Sequence, residues 1–237
     1  MEKNNPKKGW TSKRMLSFYS KRCLVKHLYP SERFFLTPEF LSETKSVLDV
    51  GCAMGGFFNI FKTLRPNIQY TGIDIIPDFI KITNEKYKGQ GIFKIYSGKG
   101  SFPTNKKYDL VFASGLLHLI RNWKKMFEHM VEKSRKYILA DFRVTTEKSY
   151  QGKFLIGYDN NNQKIKYTTA YTVINIKKLI EFLEKFKQIE KIQLYGYERK
   201  PSETSKNVKK VWMIFCKCWI GKRQTKNIKE IILEKKF

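Results

Sequence analysis

The sequence predicts a doubly wound α/β fold, in which a mostly parallel seven-stranded sheet has helices on both faces and ends in a C-terminal antiparallel hairpin. Three observations predict it. Short β-branched segments alternate with stretches whose apolar residues recur about every 3.6 positions, the first strand pattern runs into a glycine-rich turn, and the last two strand patterns have no helix between them. Such alternation is typical of parallel sheets covered on both faces.

The composition bounds the class of protein. The chain has 237 residues, of which 41% are apolar and 15% aromatic, enough for one sizeable α/β domain with additions. No run approaches the roughly 18 consecutive apolar residues of a membrane span, and no apolar signal segment follows the polar N-terminus, so we expect a cytoplasmic protein. Four cysteines without a paired CxxC motif, and only three histidines, predict no metal site.

The charge balance is strongly basic. Lysine and arginine number 47 against 21 aspartate and glutamate, a formal net charge of +26. Such a field attracts phosphate backbones, anionic lipid surfaces and acidic glycans. Because the lysines are scattered through nearly every segment, a biased composition explains the excess equally well. The charge therefore leaves RNA open as a partner without selecting it.

The first elements follow from local patterns. Residues 1–45 are basic and aromatic, with Pro30 and Pro38 as breaks, and predict an N-terminal cap of short helices. The run Ser46–Val50 ends in Gly51 and predicts a buried parallel strand leading into a tight turn. Helical spacing of apolar residues predicts that a helix follows: Phe57, Ile60, Phe61 and Leu64.

The alternation continues through the rest of the chain. Further strands are predicted at 68–74, 92–96, 109–113 and 137–140, helices at about 78–88, 123–130 and 176–186, and the closing antiparallel pair at about 192–197 and 211–220. Four turn-forming residues at 159–162 separate two strand-like segments, 154–158 and 164–167. They predict a hairpin or ordered loop after the fifth strand, and we interpret the region near 150–170 as a lid.

Ligands of doubly wound sheets bind beyond the carboxyl ends of the strands, where the first strand-to-helix turn lies. Here that turn spans 51–56 and follows Asp49 closely. Asp74 comes 25 residues after Asp49, near the spacing of about 20 at which an acidic residue binds ribose hydroxyls in dinucleotide folds. Neither GxxxxGK[ST] nor a complete GxGxxG occurs, which disfavours a phosphate cofactor. The alternative is that both aspartates simply cap a turn or helix.

Three segments, in this order, resemble the class I S-adenosylmethionine-dependent methyltransferases. They are VLDVGCAMGGF at 47–57, YTGIDI at 70–75 and YDLVFASGLLH at 108–118. The resemblance covers about residues 45–142 and extends by strand order to about 220. It implies S-adenosylmethionine as cofactor and a methyltransferase domain over 46–220, preceded by the cap at 1–45. A basic tail, 221–237, would follow as a short helix or a frayed end.

The resemblance also implies roles for individual residues. Gly51, Ala53 and Gly55 would pack against the methionine and ribose portion of the cofactor, with Asp49 near its amino group. Asp74 would hold the ribose hydroxyls through its carboxylate, which can accept from both. Three further small residues complete the implied wall around this portion: Cys52, Ser114 and Gly115.

The adenine end departs from the family pattern. Ile75 would press on the adenine, and the loop Ser97-Gly98-Lys99 would border its amino edge. Many family members place an aspartate in that loop to accept from the adenine amino group, and this chain has none there. We therefore expect that contact from Ser97 or from a backbone carbonyl.

Candidate catalytic residues follow the fourth and fifth strands. If the acceptor is a hydroxyl, a base must take its proton, and His118 is the best candidate because the usual histidine pKa lies near neutrality. Packing beneath the next helix is an equal alternative. Asp141 and Arg143 would bind the acceptor or form a structural ion pair. Tyr19 and Tyr158 are candidates to close over the site, although aromatic residues at such places more often pack in the core.

The sequence narrows the acceptor by exclusion. It lacks the Asn/Asp-Pro-Pro-aromatic element of family members that methylate exocyclic amines of DNA bases, and no cysteine follows the fourth or fifth strand to attack cytosine carbon 5. We favour a small-molecule or glycan acceptor, methylated at oxygen. An RNA methyltransferase with a basic platform remains open, as does a non-catalytic protein that binds nucleic acid or a membrane on the same fold.

Overall fold

The structure is a computed structural model that describes residues 2–3, 6–159, 161, 164–201, 208–221 and 228–234. Within them, eight α-helices follow one another: α1 (Pro6–Trp10), α2 (Lys13–Lys21), α3 (Pro30–Phe35), α4 (Pro38–Ser42), α5 (Gly56–Leu64), α6 (Pro77–Lys86), α7 (Trp123–Lys133) and α8 (Ile176–Leu183). Single 3₁₀ turns lie at Val25–His27 and Leu117–Leu119.

The described strands number eleven. They are β1 (Glu2–Lys3), β2 (Ser46–Val50), β3 (Gln69–Asp74), β4 (Ile92–Ile95), β5 (Tyr108–Ala113), β6 (Ser134–Thr145), β7 (Tyr150–Tyr158), β8 (Lys166–Asn175), β9 (Ile189–Arg199), β10 (Val211–Ile220) and β11 (Ile228–Glu234).

Eight of these strands form one continuous twisted order, β11-β9-β10-β6-β5-β2-β3-β4. Strands β2 to β6 are parallel neighbours, whereas β10 runs antiparallel to both β6 and β9. The fold class that the sequence predicts is therefore confirmed, including the antiparallel pair near the C-terminus. The order reverses between β2 and β5, where doubly wound folds bind their ligands.

The main order has eight strands, one more than the predicted seven, because the segment expected to be a helix or a frayed tail forms β11. This strand pairs in parallel with β9, and Gln193 of β9 donates to Glu230 at 2.9 Å. Its isoleucines favour an extended backbone, and an otherwise open sheet edge offers partners for its N–H and C=O groups. The sequence also predicts a polar linker at 198–210, between the two closing strands, and this segment lies partly outside the described residues.

Residues of β2 are buried along the whole strand, and successive side chains point to opposite faces of the sheet. Val47 packs in a core with α5 residues such as Phe61, whereas Leu48 packs in the opposite core with Phe127 of α7 and Leu179 of α8. Because both faces of β2 are covered by a core, its central residues are apolar apart from Asp49. The two cores hold the strand that leads into the glycine-rich turn.

The helices before β2 and the β7–β8 hairpin pack against each other beside the sheet. β6 extends beyond the predicted 137–140 because its end pairs with β8, Val144 opposite Ile174. A Cβ added to Gly9 of α1 would lie 2.8 Å from the Cβ of Tyr167 in β8. Such close approach fixes the first helix on the hairpin.

The described helices include none that is long and apolar enough to cross a membrane.

Candidate active site

A cavity of about 990 Å³ lies at the carboxyl ends of the parallel strands. Its floor is formed by residues that follow β2, β3, β4 and β5, together with Arg143 of β6. Its other walls come from the cap and from the hairpin, including Trp10, Tyr19, Arg22 and Phe154. The volume is at the upper end of the range for small-molecule sites, which are cavities of about 300–1,000 Å³.

The turn after β2 has an unusual backbone. Gly51 and Gly55 have φ values of +80° and +72°, and Ala53 has φ +46°, a left-handed conformation that a side chain rarely adopts. Two backbone N–H groups of the turn, those of Gly51 and Cys52, donate to the carbonyl oxygen of Ile73 at 2.8 and 3.1 Å. The turn is thereby tied to the end of β3, with its small residues on the cavity wall.

Asp74 joins this turn to the next helix. Its Oδ2 accepts from the N–H of Ala53 and its Oδ1 from the N–H of Ile76, both at 2.9 Å. Burial raises the pKa of the carboxyl, and these backbone donors oppose the rise. Asp74 also lines the cavity, so it braces the turn and still presents oxygen lone pairs to a ligand.

Asp49 lies behind the turn and is absent from the described cavity lining, as is Gly55. The Tyr70 hydroxyl donates to its Oδ2, and burial raises the pKa of Asp49 to about 7. The donation from Tyr70 lowers that pKa and the nearby charge of Asp74 raises it. Any influence of Asp49 on a ligand therefore passes through the turn.

The far end of the cavity is bounded by Ile75 and by the loop after β4. Gly98 and Lys99 line it, whereas Ser97 does not. The Ser97 hydroxyl donates to the carbonyl of Lys99 at 2.7 Å and accepts from the N–H of the same residue at 3.2 Å. Ser97 thus stabilises its own loop, and backbone groups of that loop lie nearer the cavity.

The three candidate catalytic residues meet at the opposite end. Asp141 Oδ1 accepts from the N–H of Gly115, and its Oδ2 accepts from Arg143 Nη1, both at 2.7 Å. Only His118 and Arg143 of the three line the cavity, because Asp141 lies behind them. Asp141 therefore orients the arginine and the loop after β5 at once.

The state of His118 follows from its burial. Desolvation, aided by the charge of Arg143 and opposed by that of Asp141, lowers its pKa to about 3. His118 Nδ1 lies 3.6 Å from Asp141 Oδ2, longer than a hydrogen bond, and this buried nitrogen has no partner among the described residues. The ring is neutral near pH 7, so the contact is not an ion pair.

Sequence reasoning missed a polar cluster that the cap brings to the turn. Arg22 Nη2 donates to both carboxylate oxygens of Glu32, at 2.7 and 2.5 Å, and the hydroxyl of Ser114 donates to Glu32 Oε1 at 2.7 Å. Glu32 is 1% exposed, and Arg22 Nε is buried without a partner among the described residues. Nothing in the local pattern of the cap marks these residues, since their neighbours come from distant segments.

Of the two tyrosines expected to close over the site, Tyr19 lines the cavity, whereas Tyr158 is absent from the described lining and is 38% exposed. Burial and the charge of Asp74 raise the Tyr19 pKa, and Arg22 lowers it. His129 also lines the cavity, with its ring 5.7 Å from that of Phe102 near the β4 loop.

Residues 48–135 match a family model described as a methyltransferase domain. The matched region runs from β2 into the start of β6 and contains the turn, Asp74 and the end of β5. Residues 48–135 are therefore similar to methyltransferase domains, as the three sequence segments predict.

Two curated proteins are similar to part of the chain. Malonyl-[acyl-carrier protein] O-methyltransferase 2 of Ilyobacter polytropus is 26% identical over 113 residues, which cover 47% of this chain and 43% of that protein. Putative methyltransferase 235L of Invertebrate iridescent virus 6 is 32% identical over 126 residues, covering 52% of this chain and 46% of the viral protein. The chain thus spans less than half the length of these relatives.

Solved structures share the fold over more of the chain. The N-terminal domain of EvdMO1 with S-adenosylhomocysteine bound has a TM-score of 0.58 at 14% identity, over 81% of this chain and 79% of that one. The O-methyltransferase of a trans-AT polyketide synthase multienzyme of Brevibacillus brevis, also with S-adenosylhomocysteine, has a TM-score of 0.53 at 16% identity, over 76% and 68%. At such identities the likeness shows the fold.

Proposed function

We propose that this protein transfers the methyl group of S-adenosylmethionine to an oxygen atom of a small-molecule or glycan acceptor. The observation that carries the proposal is the cavity, whose wall combines the left-handed Gly51–Gly55 turn with the Asp74 carboxylate at the carboxyl ends of parallel strands. The O-methyltransferase names of one curated relative and one structural neighbour, and the S-adenosylhomocysteine in two structural neighbours, support it.

The residues present fit the methionine and ribose parts of this cofactor. A Cβ added to Gly51 would meet the Leu116 side chain at 3.3 Å, so the turn leaves little room for a side chain beside a ligand. Asp74 would accept from the ribose hydroxyls. Arg22, which lines the cavity and is held in place by Glu32, would bind the cofactor carboxylate. Three small residues would complete this wall: Cys52, Ala53 and Gly115.

At the other end, Ile75 and Gly98 would flank the adenine, and a backbone carbonyl of the β4 loop would accept from its amino group, since Ser97 is engaged with Lys99. Ser114 would border the cofactor site, with its hydroxyl held by the hydrogen bond to Glu32. Asp49 and Gly55 would support the turn from behind. When bound, S-adenosylmethionine supplies a methyl group on a positively charged sulfur, ready for in-line displacement.

The cap and the hairpin would shape the acceptor pocket. Trp10 of α1 and Phe154 of β7 line the cavity from opposite segments, and both pack against a small apolar cluster around Tyr171. We assign residues 1–45 as the cap and the region near 150–170 as the lid, attached to a methyltransferase domain over 46–220. Their role would be to exclude water and to align the acceptor behind the methyl group.

The test is transfer of labelled methyl from S-adenosylmethionine into an extract of the source cell, separated into RNA, protein, glycan and small-molecule pools. Label in the small-molecule or glycan pool supports the proposal. Label in RNA or protein overturns the acceptor class, and RNA would make the +26 charge a substrate platform. An absence of label together with an absence of S-adenosylmethionine binding overturns the activity itself.

A further inference from the structure

We propose that the methylated group is a carboxylate, which Arg143 holds at the acceptor end of the cavity, so that the product is a methyl ester. The inference rests on the proposed function and specifies its acceptor. Arg143 lies near the end of β6, and its side chain is 13% exposed and lines the cavity.

One nitrogen of the Arg143 guanidinium is hydrogen-bonded within the protein, and the other two are not. Nη1 donates to Asp141 at 2.7 Å and approaches the carbonyl of Phe142 at 3.4 Å. Within the described residues, Nη2 and Nε of Arg143 make no hydrogen bond, and neither nitrogen is fully buried. Since Arg143 lines the cavity, these two nitrogens remain available to a ligand, and the planar fork of a guanidinium matches a carboxylate through two parallel hydrogen bonds.

Asp141 ties this arginine to the cofactor turn. Its second oxygen accepts from the N–H of Gly115, and the next residue, Leu116, lies beside Gly51. The guanidinium is therefore held in a set position relative to the turn that would carry the methionine part of the cofactor. A carboxylate bound by Arg143 would lie on the methyl side of the cavity.

The residues at this end suit a nucleophile that is already ionised. His118 has its pKa lowered to about 3 by burial and by Arg143, and a base so weak is poorly matched to removing a proton from an alcohol. His129 lies near Phe102, at the adenine end. A carboxylate needs no base, since its usual pKa is about 4, and the same arginine that weakens His118 attracts it.

The surrounding wall describes the rest of the acceptor. Besides basic and polar residues such as Arg121, Lys125 and Thr169, the cavity lining includes apolar side chains from three segments: Trp10, Leu116, Leu119, Ile120 and Phe154. These side chains favour a hydrocarbon portion over a sugar ring. The acceptor class that fits is a carboxylate carried on an apolar chain.

The transfer balances without a proton. A carboxylate oxygen forms the new bond to the methyl carbon while the carbon–sulfur bond breaks, and the bonding electron pair stays on sulfur. The negative charge of the acceptor and the positive charge of the sulfonium disappear together. Methylation of a hydroxyl, in contrast, releases one proton for each methyl group transferred.

This difference provides the direct test. The labelled small-molecule product is treated with mild alkali, and transfer is repeated in weak buffer with a pH indicator. We expect labelled methanol to be released by the alkali and no proton to accompany transfer. Label that survives alkali, or one proton per methyl, overturns the carboxylate assignment while leaving the methyltransferase proposal intact. If the methyltransferase proposal itself is wrong, no label is transferred and S-adenosylmethionine does not bind.

Variants test the role of Arg143. Arg143→Gln should raise the acceptor KM about 10- to 100-fold, by loss of charge-assisted hydrogen bonds, and should leave S-adenosylmethionine affinity within about twofold of the wild type. Arg143→Lys keeps the positive charge beside Asp141, so this variant should fold normally. Its acceptor KM should lie between those of the wild type and Arg143→Gln. The matched control is Arg135→Gln, which removes an exposed arginine paired with Asp109 at the other end of β6. An unchanged acceptor KM in Arg143→Gln overturns the assignment.

Discussion

Two buried titratable residues close to the turn make opposite contributions to stability. His118 is buried as a neutral ring and Asp49 as a carboxyl whose pKa is raised to about 7. One group holds fewer protons in the native state than in the unfolded chain, and the other holds more. In the window from about pH 4 to 6.5 their effects on the free energy of unfolding oppose each other.

For His118 the native pKa is about 3 against a usual 6.5. Below pH 6.5 the unfolded chain binds a proton that the native state does not, so this residue lowers stability as pH falls, by up to about 1.4 kcal/mol per pH unit. We expect His118→Gln to lose this dependence. Urea unfolding of both proteins between pH 4 and 7 measures it, and parallel curves would contradict the buried neutral ring.

For Asp49 the sign is reversed. The unfolded carboxyl ionises from about pH 3.8, whereas the native one stays protonated up to about 7, so this residue lowers stability as pH rises through that window. We expect Asp49→Asn, which still accepts from Tyr70, to gain stability relative to the wild type between pH 4 and 7. The same urea series checks this, and a relative loss over that range would refute it.

The individual residues differ in how visible they are in the sequence. Gly51 and Asp74 are marked by position, since one follows a buried strand and the other ends the next. Arg22 and Glu32 carry no such mark, because their roles depend on how a cap of short helices packs on a turn from another segment. Spacing along the chain describes local geometry and not which distant side chains meet.

At the scale of elements, the cap and the hairpin meet at glycines. A Cβ added to Gly157 of β7 would lie 2.2 Å from Ser12 Oγ, at the start of α2. Ser12 is 2% exposed and its hydroxyl has no partner among the described residues. The fit between these elements therefore depends on a missing side chain more than on a polar contact.

We expect Gly157→Ala to destabilise the protein by about 1–3 kcal/mol through overpacking and to raise the acceptor KM, because the pocket walls shift. Adding Ser12→Gly should restore much of both, since it removes the side chain that clashes. Urea unfolding and steady-state kinetics of the single and double variants measure this. A double variant no better than Gly157→Ala would show that cap and hairpin are not in contact there.

The elements themselves were predicted with uneven success, for physical reasons. Strands β2 and β10 match the predicted bounds at both ends, because each is a largely apolar run that is buried over most of its length. Strand β11 was not predicted, since Ile228, Ile231 and Ile232 alternate with charges in a way that helix and strand patterns share. Pairing with the open edge of β9 decides between them, and that edge is a tertiary feature.

At the scale of the whole molecule, the fold class followed from the sequence because alternation of strands and helices leaves few ways to bury both faces of a sheet. The net charge of +26 did not lead to a function in the same way. Net charge informs on which molecules the protein attracts, whereas the residues of the cavity inform on the reaction. Varying the salt concentration distinguishes an acceptor held by the net charge from one held in the cavity.

We expect kcat/KM for the acceptor to fall less than about tenfold between 50 and 200 mM salt, because the proposed acceptor carries a single anionic group. An acceptor held through 6–10 phosphates would lose about 10³-fold or more over that range. Steady-state rates at several salt concentrations distinguish the two cases. A loss of the larger size would contradict a small-molecule acceptor and favour an RNA platform.

Calorimetric titration of S-adenosylmethionine into the wild type and into Asp74→Ala tests the claim that this carboxylate holds the cofactor, with Asp78→Ala, an exposed aspartate four residues on, as control. We expect the wild type and the control to bind alike and Asp74→Ala to bind more weakly by about 1–3 kcal/mol, through lost ribose hydrogen bonds and a loosened turn. Circular dichroism establishes that all three are folded. Equal affinity in all three, or no binding to the wild type, would contradict the claim.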